Sequence, residues 1–247
     1  MQIYLELCVS FLFPYFRPLL NSTLSNSSLQ AVIFDLDGVL VDTARFHDQA
    51  WAELALGLGY VLTETDRHAL KGRSRADSLE YLLEQAGWND ADPSQKSRWL
   101  QAKNARYLEL VEALTPQDAA QGALVLLEQL KCQGIKTALG SASQNAAKVL
   151  QKIGLDSFFD TVVDGTRTTR SKPDPQVFWM AAQDLGCEPA HCAVVEDALA
   201  GVQAALAGGF LTIGLGDASV LLGAHRVVHQ FSELSVQGLQ AWHFAFN

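Results

Sequence analysis

The chain has 247 residues, of which 49% are apolar, enough for one large domain or a core with a smaller insert and unlike the composition of a disordered chain. Its formal net charge is −9 and it has no run of Lys and Arg, which argues against a free-standing nucleic-acid binder. An anionic substrate would have to be met by a few local cations or a metal.

The first segment, residues 1–29, is apolar up to Leu20 and then rich in Ser and Asn. Glu6, Pro14, Arg17 and Pro18 interrupt the apolar run and no basic stretch precedes it, so it reads neither as a signal peptide nor as a membrane span. A disordered or non-native N-terminal extension, from an upstream start of translation, is expected there. The cysteines, Cys8, Cys132, Cys187 and Cys192, form no C-x-x-C pair and no zinc-spaced cluster. Ordinary thiols in a reduced, cytoplasmic compartment are expected.

Residues 31–34 are apolar throughout, as a strand buried on both faces requires. They run into Asp35-Leu36-Asp37-Gly38. Ligands of an open parallel sheet bind at the carboxyl ends of its strands. One carboxylate there can attack phosphorus, and the other can exchange protons with the entering and leaving oxygens. A plain acidic turn explains the same residues, and this motif alone does not decide.

Residues 43–116 read as helices only, over 47–56, 63–70, 75–85 and 93–114. They predict a helical cap at 43–116, inserted into a core made of 30–42 and 117–247. From there strand and helix alternate: a helix over 119–133, a strand over 135–139, a helix after Ser143, and a strand over 161–163. A helix after Pro175, a strand over 192–195, a helix over 197–207 and a strand over 210–215 follow. This alternation predicts an α/β fold with a doubly wound, Rossmann-like parallel core sheet and a small inserted helical cap.

Three further strand ends carry polar motifs. Ser141-Ala142-Ser143-Gln144-Asn145 offers hydroxyls and free N–H groups to an anion, or simply a helix cap. Lys172, before Pro173, can reach a phosphate as a point charge, or lie on the surface. Glu196-Asp197 offers hard oxygens suited to Mg²⁺, or a cap for the next helix.

Together and in this order, these four motifs resemble those of the haloacid dehalogenase superfamily, over about residues 30–235. The resemblance implies that Asp35 is the nucleophile and Asp37 the acid and base. It implies one Mg²⁺ held by Asp35, the main-chain oxygen of Asp37, Glu196 and Asp197, with Ser141 and Lys172 on the transferring phosphate.

Within the cap, Lys71-Gly72-Arg73-Ser74-Arg75 looks like the Lys-Gly-x-Ser-Arg motif of the β-phosphoglucomutase branch. There the Arg grips the phosphate that is not being transferred, a task suited to a forked donor. Asp42-Thr43 matches the cap hinge, His47 and Trp51 match a cap–core pair, and Lys103-Asn104 matches a pair late in the cap. The implied substrate-binding set is His47, Trp51, Gly72, Arg73, Ser74, Arg75, Lys103, Ser141, Ala142, Ser143, Gln144 and Asn145. Two positions depart from the pattern: Gln144 replaces a common Lys, and Arg73 replaces a small or apolar residue. The implied reaction interconverts β-glucose 1-phosphate and β-glucose 6-phosphate through an aspartyl-phosphate, primed by a trace of β-glucose 1,6-bisphosphate. A sugar-phosphate phosphatase on the same scaffold is the alternative. A monomer acting on a small sugar phosphate is expected, with no nucleic-acid or membrane partner.

Overall fold

The computed structural model describes residues 28–247. The extension expected over residues 1–29 lies almost wholly outside the described residues. Its last member, Leu29, is buried in the main core, so the fold starts slightly earlier than expected.

The elements run β1 (Ala31–Phe34), α1 (Ala44–Gly57), α2 (Glu64–Leu70), α3 (Arg75–Gln85), α4 (Pro93–Val111), α5 (Ala123–Cys132), β2 (Lys136–Gly140), α6 (Ala146–Lys152), β3 (Thr161–Val163), α7 (Gln176–Leu185), β4 (Cys192–Glu196), α8 (Leu199–Ala207), β5 (Leu211–Leu215), β6 (Arg226–Val228) and α9 (Val236–Phe246). All six strands are parallel, in the order β3-β2-β1-β4-β5-β6. The fold is the doubly wound sheet with an inserted helical cap that the alternation predicted.

β1 is central because its residues are apolar on both faces. Successive side chains point to opposite sides of a strand. Val32 and Phe34 join the core built with α5, α6 and α9, while Ala31 and Ile33 join the core under α7 and α8. Each large side chain buried this way contributes about 1.5–3 kcal/mol.

The helix expected over 119–133 starts only at Ala123, because Gly122 occupies the left-handed region at its N-cap. That expected over 197–207 starts at Leu199. β6 and α9 were not anticipated. β6 has three residues with an exposed Arg226, too short for a pattern, and α9 carries Gly238 inside its first turns.

Between β1 and α5 the described residues contain no strand, but α1–α4 and a single 3-10 turn at Pro116–Asp118; the cap helices bury their own cluster around Trp51, Leu62, Leu79 and Leu82. Both connections to the core run together: Val41 bridges Ala119, and the Ala120 N–H donates to the Leu40 carbonyl at 2.8 Å.

Inside the cap, α2 begins with a capping box in which Thr63 and Asp66 exchange hydrogen bonds. Asp66 also accepts from the Tyr60 and Tyr81 hydroxyls, each at 2.8 Å, tying α2 to α3 and so both ends of the 71–74 loop. The Thr63 hydroxyl, against the opposing effect of burial, holds Asp66 well below the usual carboxylate range; the Thr63 N–H and the two phenols add to it. The folded value lies below the unfolded one, so this stabilisation is complete above a pH of about 4 and fades as acid is added. Asp66→Ala is expected to cost on the order of 1–3 kcal/mol in urea unfolding. Asp66→Asn should flatten the loss of stability on acidification, read from unfolding at a series of pH values.

Candidate active site

The strand order places β1 beside both β2 and β4, with the connections leaving in opposite directions, a topological switch point. The ladder continues past β1, where the Asp35 N–H donates to the Val195 carbonyl at 3.0 Å. This sets Asp35 beside Glu196. Asp37 lies in the tight loop that follows, where Gly38 adopts φ +91.

Lys172, from the segment before α7, crosses beneath these carboxylates. Its buried Nζ donates to Asp35 Oδ1 and Glu196 Oε1, both at 2.5 Å. Burial pulls its pKa down, but Asp35 and Glu196 outweigh it and hold the ammonium charged. The second oxygen of Glu196 accepts from the Ala198 N–H at 2.9 Å. Glu196 fits because Gly201 carries no side chain: a Cβ there would lie 1.8 Å from its Oε1.

One ammonium does not balance the acids around it. Burial raises Asp35 well above the ordinary carboxylate value; Lys172 opposes this, and Glu196, Asp37 and Asp197 add to it. Asp197 is raised to about 7 by burial and by Glu196. A surplus of hard oxygen donors facing one place is what a divalent cation relieves. Among the described residues no three His, Cys, Asp or Glu side chains converge on a metal position by themselves. Asp35, Asp197 and a main-chain oxygen, completed by water and substrate phosphate, suit Mg²⁺, which commonly uses one or two carboxylates.

Asp37 is held differently. Its Oδ1 accepts from the Thr43 hydroxyl, and His47 Nε2 lies 3.6 Å away. Burial pushes its pKa up, but His47, the Thr43 hydroxyl and Lys103 outweigh it and hold the carboxylate below its usual value.

Asp35, Asp37 and Asp197 open into a cavity of ≈ 350 Å³ whose other wall is the cap. The cap supplies His47, Trp51, Gly72, Arg73, Arg75 and Lys103, and the core adds Ala142, Ser143 and Gln144. Lys103 Nζ lies 2.7 Å from His47 Nδ1 and 4.8 Å from the Trp51 ring. Burial and the neighbouring Arg75 lower Lys103 to about 7, with Asp37 opposing. Burial also lowers Arg75. Neither Arg75 nor Lys103 has a carboxylate within salt-bridge distance among the described residues. Gly72, at φ +72, lets the cap loop lie against Ala198, 3.1 Å from where its Cβ would stand.

The remaining sequence-predicted residues lie around this cavity. Ser141 and Lys172 face an adjoining pocket with Ser74 and Arg75. Ser74 is the N-cap of α3, accepting from the Asp77 N–H, so Arg75 opens that helix. Asn145 turns to the cap, donating to Asn104 Oδ1 at 2.9 Å. Gln144 is exposed. The plain capping alternatives fail at two places: α6 is capped from Asn145 and α8 from Ala198, neither through a side chain.

Sequence reasoning placed Thr43 at a hinge without its bond to Asp37, and missed Gly201 and Tyr107. Gly201 left a signal, since a Gly inside a helical pattern marks close approach of another group. Tyr107 left none beyond an aromatic at core spacing.

A Cβ on Gly38 would meet Asp197 Oδ2 at 2.1 Å. Gly38→Ala therefore displaces that carboxylate by about an ångström or more, a misplacement that costs on the order of a hundredfold in turnover. The check is kcat/KM for a phosphate monoester alongside circular dichroism, with the fold retained.

The chain matches the haloacid dehalogenase-like hydrolase family over residues 29–209. It is 40% identical to a β-phosphoglucomutase of Bacillus subtilis, covering 85% of this chain and 93% of the relative. It is 30% identical to a phosphorylated carbohydrates phosphatase of Thermotoga maritima, covering 81% and 93%. The crystal structure of a β-phosphoglucomutase from Clostridium difficile superposes with a TM-score of 0.86 at 34% identity, covering 88% of this chain and 98% of the other.

Proposed function

The chain belongs to the haloacid dehalogenase-like hydrolases, and within that family we propose that it is a phosphomutase interconverting β-glucose 1-phosphate and β-glucose 6-phosphate. The observation that carries this reading is the charge on the cap wall. Arg75 and Lys103 face the cavity of Asp35 without a carboxylate counterion among the described residues. A phosphatase needs one phosphate position, whereas a mutase needs a second, held while the first reacts. The two β-phosphoglucomutase relatives support the same choice, while the phosphorylated carbohydrates phosphatase of Thermotoga maritima agrees with the alternative below.

In the proposed cycle Asp35 carries a phosphoryl group. Asp37 takes the proton from the 6-hydroxyl of β-glucose 1-phosphate as that oxygen attacks phosphorus and the bond to Asp35 breaks. The 1,6-bisphosphate turns end for end. An Asp35 oxygen then attacks the 1-phosphate, Asp37 returns the proton to O1, and β-glucose 6-phosphate leaves the phosphorylated enzyme. A trace of the bisphosphate primes the first turn. Ser141 and Lys172 orient the transferring group, and Arg75 and Lys103 grip the other phosphate. Asp35, Asp37 through its main-chain oxygen and Asp197 would hold Mg²⁺, with Glu196 behind them on Lys172 and the Ala198 N–H, and the ion would supply charge shielding between phosphate and carboxylate. Preorganised charge and closure against water are expected to dominate the rate.

A sugar-phosphate phosphatase is the second reading, favoured by Gln144, neutral and exposed on the core side of the cavity.

The deciding experiment supplies β-glucose 1-phosphate, a trace of its 1,6-bisphosphate and Mg²⁺, and follows glucose 6-phosphate and inorganic phosphate together. Isomerisation without stoichiometric phosphate release is expected; stoichiometric release without isomerisation overturns the mutase. Asp35→Asn should form no phosphoenzyme, and label retained on that variant would exclude Asp35 as the nucleophile. Arg75→Ala should lower kcat/KM for the sugar phosphate by about 10–100-fold, the range for losing a charge-assisted bond, while sparing hydrolysis of acetyl phosphate. Equal losses on both would remove its role at the second phosphate.

A further inference from the structure

Among the described residues, two buried side-chain atoms have no hydrogen-bond partner, and they neighbour each other: His47 Nε2 and the Tyr107 hydroxyl. Their rings lie 4.0 Å apart at an interplanar angle of 33°. Tyr107 is fully buried on α4, one turn beyond Lys103. Leaving a buried hydroxyl unbonded costs about 1–3 kcal/mol, and a Phe would fill the same space without that cost.

The surroundings of the two atoms are specific. The Tyr107 hydroxyl stands beside Asp37, Thr43 and Ser143. Thr43 already donates to Asp37, and Ser143 Oγ already accepts from the Asn145 N–H at 3.2 Å. Burial raises the Tyr107 pKa, so the phenol keeps its proton, and that O–H donates to no acceptor in this arrangement. Lys103, when charged, donates to His47 Nδ1, which leaves the imidazole proton on Nε2, 3.6 Å from Asp37 Oδ1. Two unused donors therefore flank one carboxylate that a single threonine holds.

We propose that Tyr107 is a positioning residue for Asp37: when that carboxyl turns from Thr43 towards the sugar oxygen, the phenol donates to it and fixes the oxygen that is not exchanging the proton. His47 Nε2 assists from the other side. The inference rests on Asp37 as the acid and base of the proposed reaction. It does not depend on whether the sugar phosphate is isomerised or hydrolysed.

Tyr107→Phe removes the hydroxyl and keeps the ring. Turnover of β-glucose 1-phosphate should fall by about tenfold or more, a fraction of what acid–base catalysis contributes, with KM within about twofold. Phosphorylation of Asp35 by acetyl phosphate, whose leaving group needs no proton, should stay within about twofold of the parent. The Tm should hold or rise, since an unbonded hydroxyl is gone. An unchanged kcat overturns the proposal, as does a raised KM alone, or an equal loss with both phosphoryl donors accompanied by a lower Tm. The parent enzyme's products decide mutase against phosphatase separately, and the ratio of variant to parent is read on either product.

Discussion

The buried ammonium of Lys172 is the point on which the core end of the site depends. It joins Asp35 at the end of β1 to Glu196 at the end of β4. Burying charged groups is costly unless each is paired, and removing one partner strands the rest. The pairing therefore fixes the segment before α7 against two strands at once. It also leaves an anionic surplus, because Asp37 and Asp197 stand close by and Asp197 is pushed up to about 7. Such a cup accepts a phosphate only with added positive charge, which is why the oxygen donors there suit a hard divalent cation.

The cap has the opposite surplus. Burial, with Arg75 close by, lowers Lys103 to about 7, burial lowers Arg75 as well, and neither has an acid within salt-bridge distance among the described residues. Both walls carry unfavourable charge alone, and an anionic substrate between them relieves the cap directly. The two walls meet at one double linker, where Val41 and Ala119 bridge. Gly72 permits a tight approach of cap to core, and Gly38 permits one of the loop to Asp197 where a side chain would collide.

Much of this was legible in the chain. β1 announced itself as an apolar run ending in acids, and β2 and β4 carried their polar residues at the same ends. The cap read as helices because its apolar residues recur at helical spacing without a strand-like run. The unread parts have physical causes. β6 is too short to show a period, and α9 contains a Gly. The Thr43 bond to Asp37 and the placing of Tyr107 beside it leave no local pattern.

The sequence by itself determined the strand ends, the helical insert and the residue types available for phosphate chemistry, because these follow from local periodicity and from glycines at turns. The tertiary structure alone decided which of those residues meet. Lys172 and Asp35 are 137 positions apart, and they meet because the segment from β3 into α7 crosses the carboxyl ends of the paired strands β1 and β4. Folding likewise separated Asp37, bonded to Thr43 and flanked by two unused donors, from Asp35, locked to a lysine. Two aspartates that look alike in the chain are thus given different environments, since charge, burial and hydrogen bonding at each are set by distant parts of the fold.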